Sequence, residues 1–93
     1  MSHSLVVRGR EGRVKVGYHV AAELGAFTLT PEAGEWRIDA AVISADEFWV
    51  TQDGTRTLEL TIGTQRWSWR NADRLAVDVG AVTGTVTGSP ERR

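Results

Sequence analysis

Residues 57–70, TLELTIGTQRWSWR, alternate apolar and polar side chains on both sides of Gly63-Thr64. A period of two belongs to β-strands, and glycine at the first position of a two-residue loop suits a type II′ hairpin turn. With that loop, Ile62 pairs with Gln65, Leu60 with Trp67 and Leu58 with Trp69. One face then carries Leu58, Leu60, Ile62, Trp67 and Trp69. The other carries Thr57, Glu59, Thr61, Arg66, Ser68 and Arg70, with Glu59 diagonal to both arginines. Two separately patterned strands agree in parity. An isolated hairpin cannot cover such an apolar face, so further strands must pack on it.

Those strands are signalled throughout the chain. Residues 14–20 place Val14, Val16, Tyr18 and Val20 on one side and Lys15, Gly17 and His19 on the other. Residues 36–43 set Trp36, Ile38, Ala40 and Val42 against Arg37, Asp39, Ala41 and Ile43; both sides are partly apolar, as in a central strand. Further candidates are residues 5–8, 27–30, 48–52, 75–79 and 83–87. Gly9 and Gly12 bracket RGREGR as a turn between the first two strands, and Asp53-Gly54 is a hairpin signal. With a two-residue loop there, Trp49 shares the face of Leu58; with three residues and a bulge, Phe48 and Val50 do. Thr30-Pro31 could open one helical turn ending at Gly34, and residues 21–26 could form another short turn. Ser44 to Glu47 has the spacing of a capping box. The expected fold is all-β: one small antiparallel barrel or sandwich of six to eight strands, OB-like and SH3-like barrels among the candidates, with one or two single-turn helices. Residues 1–87 form the domain and 88–93 a flexible polar tail.

A chain of 93 residues buries a thin core, and the absence of cysteine removes disulfides and thiolate metal sites. An assembly partner is one way to add stability. No apolar run approaches a membrane span, and the N-terminus lacks the pattern of a signal peptide. A soluble protein is expected, cytoplasmic or virion-associated. Short, cysteine-free, Gly/Thr-rich β domains of this kind look like phage accessory components in composition.

Catalytic and metal chemistry find little footing. The only histidines, His3 and His19, share no motif with a nucleophile, and there is no G-x-S-x-G elbow or calcium loop. Asp39, Asp46 and Glu47 are the carboxylates a small hydrolase could recruit, but Asp46 and Glu47 suit the first turn of a helix equally well. No enzyme activity, cofactor or metal is expected.

Charge is uneven. The net charge is −1, which argues against a dedicated nucleic-acid binder. Residues 1–20 nevertheless carry +3, residues 21–60 carry −6, and residues 61–93 carry +2. Arg8, Arg10, Arg13 and Lys15 form the best basic cluster, a candidate contact for phosphate or an acidic partner. Gly80, Gly84 and Gly88 recur every fourth residue without the Gly-Lys-Ser/Thr ending of a phosphate loop. They point to an edge strand where another backbone comes close. Leu75, Val77, Val79, Val82 and Val86 are therefore candidate edge-interface residues, and Trp49 a candidate exposed aromatic.

QRWSWR first resembles a nucleic-acid strand, but alternation separates its rings from its cations, whereas an oligonucleotide groove needs both on one surface. Two functional expectations follow. The first is a non-enzymatic interaction or assembly module binding a partner protein or its own copies through a sheet edge. The second is a single-stranded nucleic-acid-binding barrel using the Arg8–Lys15 segment and outward aromatics.

Overall fold

The structure, a computed structural model, describes residues 6–50, 55–77 and 80–93. The chain is all-β. Its strands are β1 (Val7–Gly9), β2 (Glu11–Val16), β3 (His19–Glu32), β4 (Glu35–Ala45), β5 (Arg56–Ile62), β6 (Gln65–Trp69), β7 (Ala76–Val77), β8 (Ala81–Thr87) and β9 (Glu91–Arg92), with one helical turn, α1 (Glu47–Val50). All pairings are antiparallel, in the order β7-β8-β4-β3-β2-β5-β6-β9, with β1 also on β3. The described residues thus give nine strands, more than the six to eight expected: β7 falls within the expected strand 75–79, whereas the two-residue β9 lies in the stretch expected as a tail.

The β5–β6 hairpin has the expected register: Leu58 opposes Trp69, Leu60 opposes Trp67 and Ile62 opposes Gln65. Its inner face meets Val14, Leu24, Phe27, Leu29, Ile38, Val82 and Val86 in one core. The sheet is open, yet it coils enough to bring its halves together. Trp36 of β4 meets Trp67 of β6 edge to face at 6.0 Å, and the Trp69 Nε1–H donates to the Gly88 carbonyl at 3.2 Å.

Several local expectations fail for identifiable reasons. RGREGR is not a turn between two paired strands: β1 and β2 both lie along β3, Gly9 opposite Phe27 and Gly12 opposite Leu24. The glycines serve space. A Cβ on Gly9 would sit 2.3 Å from the Phe27 ring, and one on Gly12 2.7 Å from the Leu60 side chain. The alternating run 14–20 breaks at Gly17-Tyr18, a two-residue turn with Gly17 at φ 62° that leaves Val16 opposite His19. Residues 21–26 are not a turn but bulged β3.

At the far end of β3, no helical turn follows Thr30. The strand runs on to Glu32 and reverses through Ala33-Gly34, at φ 44° and 82°. Positive φ at both central positions is the type I′ geometry that matches strand twist. Residues 48–50 belong to α1, not a strand, and its cap is Asp46, whose Oδ1 accepts the Phe48 N–H at 3.1 Å; Ser44 remains in β4. The Asp53-Gly54 turn lies outside the described residues. The final residues, expected as a polar tail, include β9, which pairs Arg92 with Trp67 and Glu91 with Ser68. There Arg92 lies 4.4 Å from the centre of the Trp67 ring, a cation–π contact.

Gly84 meets the expectation of a close backbone, and the neighbour is this same chain. A Cβ there would lie 2.5 Å from the Arg74 carbonyl oxygen, and its φ is 143°. The 72–75 segment is held in that position by Arg56, whose carbonyl accepts the Ala72 N–H and whose N–H donates to Asp73 Oδ1.

Gly84→Ala should therefore lower the unfolding free energy by at least about 2 kcal/mol, from backbone strain plus overlap. Gly80→Ala, with nothing within 4 Å, should leave it level or raise it by up to about 1 kcal/mol. Urea titration of the two variants checks the contrast. In the same assay Trp69→Ala, removing a side chain only 3% exposed, should cost about 3–5 kcal/mol.

Candidate functional site

Two surfaces stand out, and Tyr18 touches both. The first is an aromatic end built by the β2–β3 turn and α1. A two-residue turn has no room to fold its side chains inward, and Tyr18 is fully exposed (103%). Alongside it, the Asp46 N–H donates to the Ala21 carbonyl at 2.9 Å and pins the start of α1 to β3. Asp46 Oδ2 lies 3.5 Å from His19 Nε2. The His19 ring stacks on Trp49 at 4.1 Å, and Phe48 meets Trp49 edge to face at 5.4 Å. Trp49, the expected exposed aromatic, is half-buried by this stack, whereas Phe48 is 63% exposed. Of the aromatics that a stacking platform could use, Trp36, Trp49, Tyr18 and Phe48, it is Tyr18 and Phe48 that are exposed, and Gly-Tyr splitting an alternating run is the local signal of the first.

The second surface is the outer face of β2, β5, β6 and β9, a polar hollow of about 480 Å³. Register aligns Ser44, Glu23, Arg13, Glu59, Ser68 and Glu91 across neighbouring strands. Glu59 is the hinge of this row. Its carboxylate lies 3.4 Å from Arg13 Nε and 3.8 Å from Lys15 Nζ, with its side chain only 16% exposed. The arginines of its own hairpin are not its partners: Arg70 pairs with Glu91 at 3.3 Å, and Arg66 stands opposite Thr61.

The basic segment is therefore divided. Lys15 lines the hollow beside Arg66 and Arg70, and Arg13 is held by Glu59. Arg8 and Arg10 line a separate depression with Phe27, Thr28 and Asp39. Of the edge candidates, Leu75, Val82 and Val86 are buried in the core and Val77 packs against it; Val79 lies outside the described residues. Among the described residues, β7 pairs with β8 at Val82 and Thr83.

The carboxylates considered for hydrolysis do not converge. Asp39 faces Thr28 and Thr83 on the outer sheet. Asp46 and Glu47 follow the end of β4, about 20 Å further along at the usual strand rise. Among the described residues, no three His, Cys, Asp or Glu side chains come together as a metal site, and no helix is long and apolar enough to cross a membrane. Comparison with family models, with curated proteins and with solved structures found no match.

Glu59→Gln should expose the role of the shared carboxylate. It removes the counter-charge that Arg13 and Lys15 share and should destabilise by about 1–2 kcal/mol. Because much of that cost is repulsion near the surface, urea titration in about 1 M salt should recover a large part of it.

Proposed function

We propose that this chain is a non-enzymatic interaction module whose contact surface is the aromatic end formed by Tyr18, His19, Phe48 and Trp49. The observation that carries the proposal is the exposure of Tyr18 and Phe48 beside a preformed His19–Trp49 stack. Tyrosine and other aromatics are the side chains most enriched at the energetic centres of protein interfaces. Here they stand on a tight turn and a capped helical turn, so little freedom is lost on binding. The partner is another protein or a second copy of this chain, and an assembly role such as that of a virion accessory component is compatible with the small, cysteine-free domain.

The β7–β8 edge contributes less to this proposal than the sequence implied. Leu75, Val82 and Val86 turn into the core and Val77 packs against it, which leaves little apolar surface for a partner among the described residues. A two-residue edge strand is a common way of blunting unwanted strand addition.

A second function, single-stranded nucleic-acid binding, draws on one observation: Tyr18 stands at the rim of the hollow that holds Lys15, Arg66 and Arg70. A ring and cations thus share one surface there, which the β6 strand alone could not provide.

The interaction proposal is tested by sedimentation velocity from about 5 to 300 μM, with crosslinking to any co-purifying partner. Association or a defined co-complex is expected, and Tyr18→Ser with Phe48→Ser should weaken it by at least about thirtyfold, the scale of a hot-spot loss near 2 kcal/mol. Tyr18→Ser alone should leave thermal stability within about 0.5 kcal/mol. A monomer throughout, with no co-complex, would count against the proposal.

A further inference from the structure

The hollow on the outer face of β2, β5, β6 and β9 contains a charge arrangement that its own carboxylates do not balance. Four basic side chains line it, Lys15, Arg66, Arg70 and Arg93, against two acidic side chains, Glu59 and Glu91. The acids are committed elsewhere within it: Glu59 is divided between Arg13 and Lys15, and Glu91 is held by Arg70. Among the described residues, Arg66 and Arg93 have no ion pair.

Their placement makes this more than a surplus of charge. The Arg66 N–H donates to the Arg93 carbonyl at 2.9 Å, and the Arg93 N–H donates to the Arg66 carbonyl at 3.0 Å. Such mutual bonds define two residues directly opposite each other in an antiparallel pair, about 5.5 Å apart at Cα. Strand alternation puts both side chains on the outer face, since their chain neighbours Trp67 and Arg92 meet on the other one. Like charges in this position repel. A doubly charged oxyanion bound between two guanidinium forks would turn that repulsion into attraction.

We infer that the hollow is a binding site for a phosphate-bearing ligand, with the Arg66–Arg93 pair as its anion clamp. Lys15 supplies a further point charge, and the hydroxyls of Ser68 and Thr57 supply donors on the same lining. The exposed Tyr18 ring at the rim offers a flat surface for a base or another planar group attached to the phosphate. The inference shares its surface with the nucleic-acid function but does not require it, because a small phosphate compound satisfies the same clamp.

The test is titration of the full chain with pyrophosphate, with a nucleoside monophosphate and with an eight-nucleotide oligothymidylate at low salt, followed by calorimetry and by backbone amide NMR. Saturable binding of pyrophosphate is expected, with the largest shifts at Arg66 and Arg93. Arg66→Gln and Arg93→Gln should each weaken it at least about tenfold, the loss of one strong charge-assisted contact. Arg8→Gln, in the separate depression, should change it less than about twofold. Pyrophosphate binding without oligothymidylate binding would support the clamp and dispose of the nucleic-acid function. Tighter binding of the monophosphate, lost in Tyr18→Ser, would support the clamp with the ring at its rim. Shifts that never saturate and spread equally over Arg8, or no response to any of the three compounds, would overturn the inference.

Discussion

The coiling of β3 is the constraint on which the rest of the structure depends. This fourteen-residue strand pairs with β1 and β2 along one edge and with β4 along the other. A straight strand of that length would hold its partners in a flat sheet with one face open to water. Irregularities opposite Val14–Lys15 and between Glu23 and Phe27 add twist and bend. The bend lets β6 come round to β4, so that Trp36 reaches Trp67 and Trp69 reaches Gly88. A thin domain thereby encloses a core with a single open sheet. Gly9 and Gly12 belong to the same solution, since the Phe27 ring and Leu60 occupy the space their side chains would need.

The distribution of charge takes on a different meaning once folded. Basic ends around an acidic middle would favour head-to-tail contacts between copies if each segment kept to itself. Instead β2 brings Arg13 and Lys15 beside Glu59, while Arg74 crosses to Glu35 at 2.9 Å. Much of the opposition between segments is resolved within one molecule. Among the described residues, the opposed Arg66 and Arg93 and the exposed Arg8 and Arg10 are cations left outside those pairs.

The elements visible in sequence were those whose determinants are neighbours in the chain. The β5–β6 register follows from one turn and two alternating runs, and it agrees residue for residue. The alternation of β4 likewise buries Ile38 and Ala40 while exposing Arg37 and Asp39. Features set by distant residues were hidden. RGREGR has the composition of a loop, but its glycines answer to Phe27 and Leu60, far along the chain. Gly17-Tyr18 was hidden because apolar and polar residues go on alternating across a turn that reverses the chain and puts Val16 opposite His19. The aromatic end combines a turn with a helical turn 30 residues later, and the anion hollow combines β2, β6 and β9. Neither combination has a local signature.

The strand QRWSW shows how stability and binding are separated in so small a domain. Successive residues of β6 point to opposite sides, so Trp67 and Trp69 join the halves of the sheet while Arg66 and Ser68 line the hollow. The tryptophans contribute to the stiffness that holds the opposed arginines at a fixed spacing, and they do so without touching the ligand side. A chain with few residues to spare gains from this division, because the outer positions of β6 can change without disturbing the core. The opposite change is not free. Loosening the tryptophan contacts would also loosen the register of β9, where Arg92 rests on Trp67, and with it the position of Arg93. The outer site therefore depends on the inner face through the pairing of β6 with β9 and through the contact of Arg92 with Trp67.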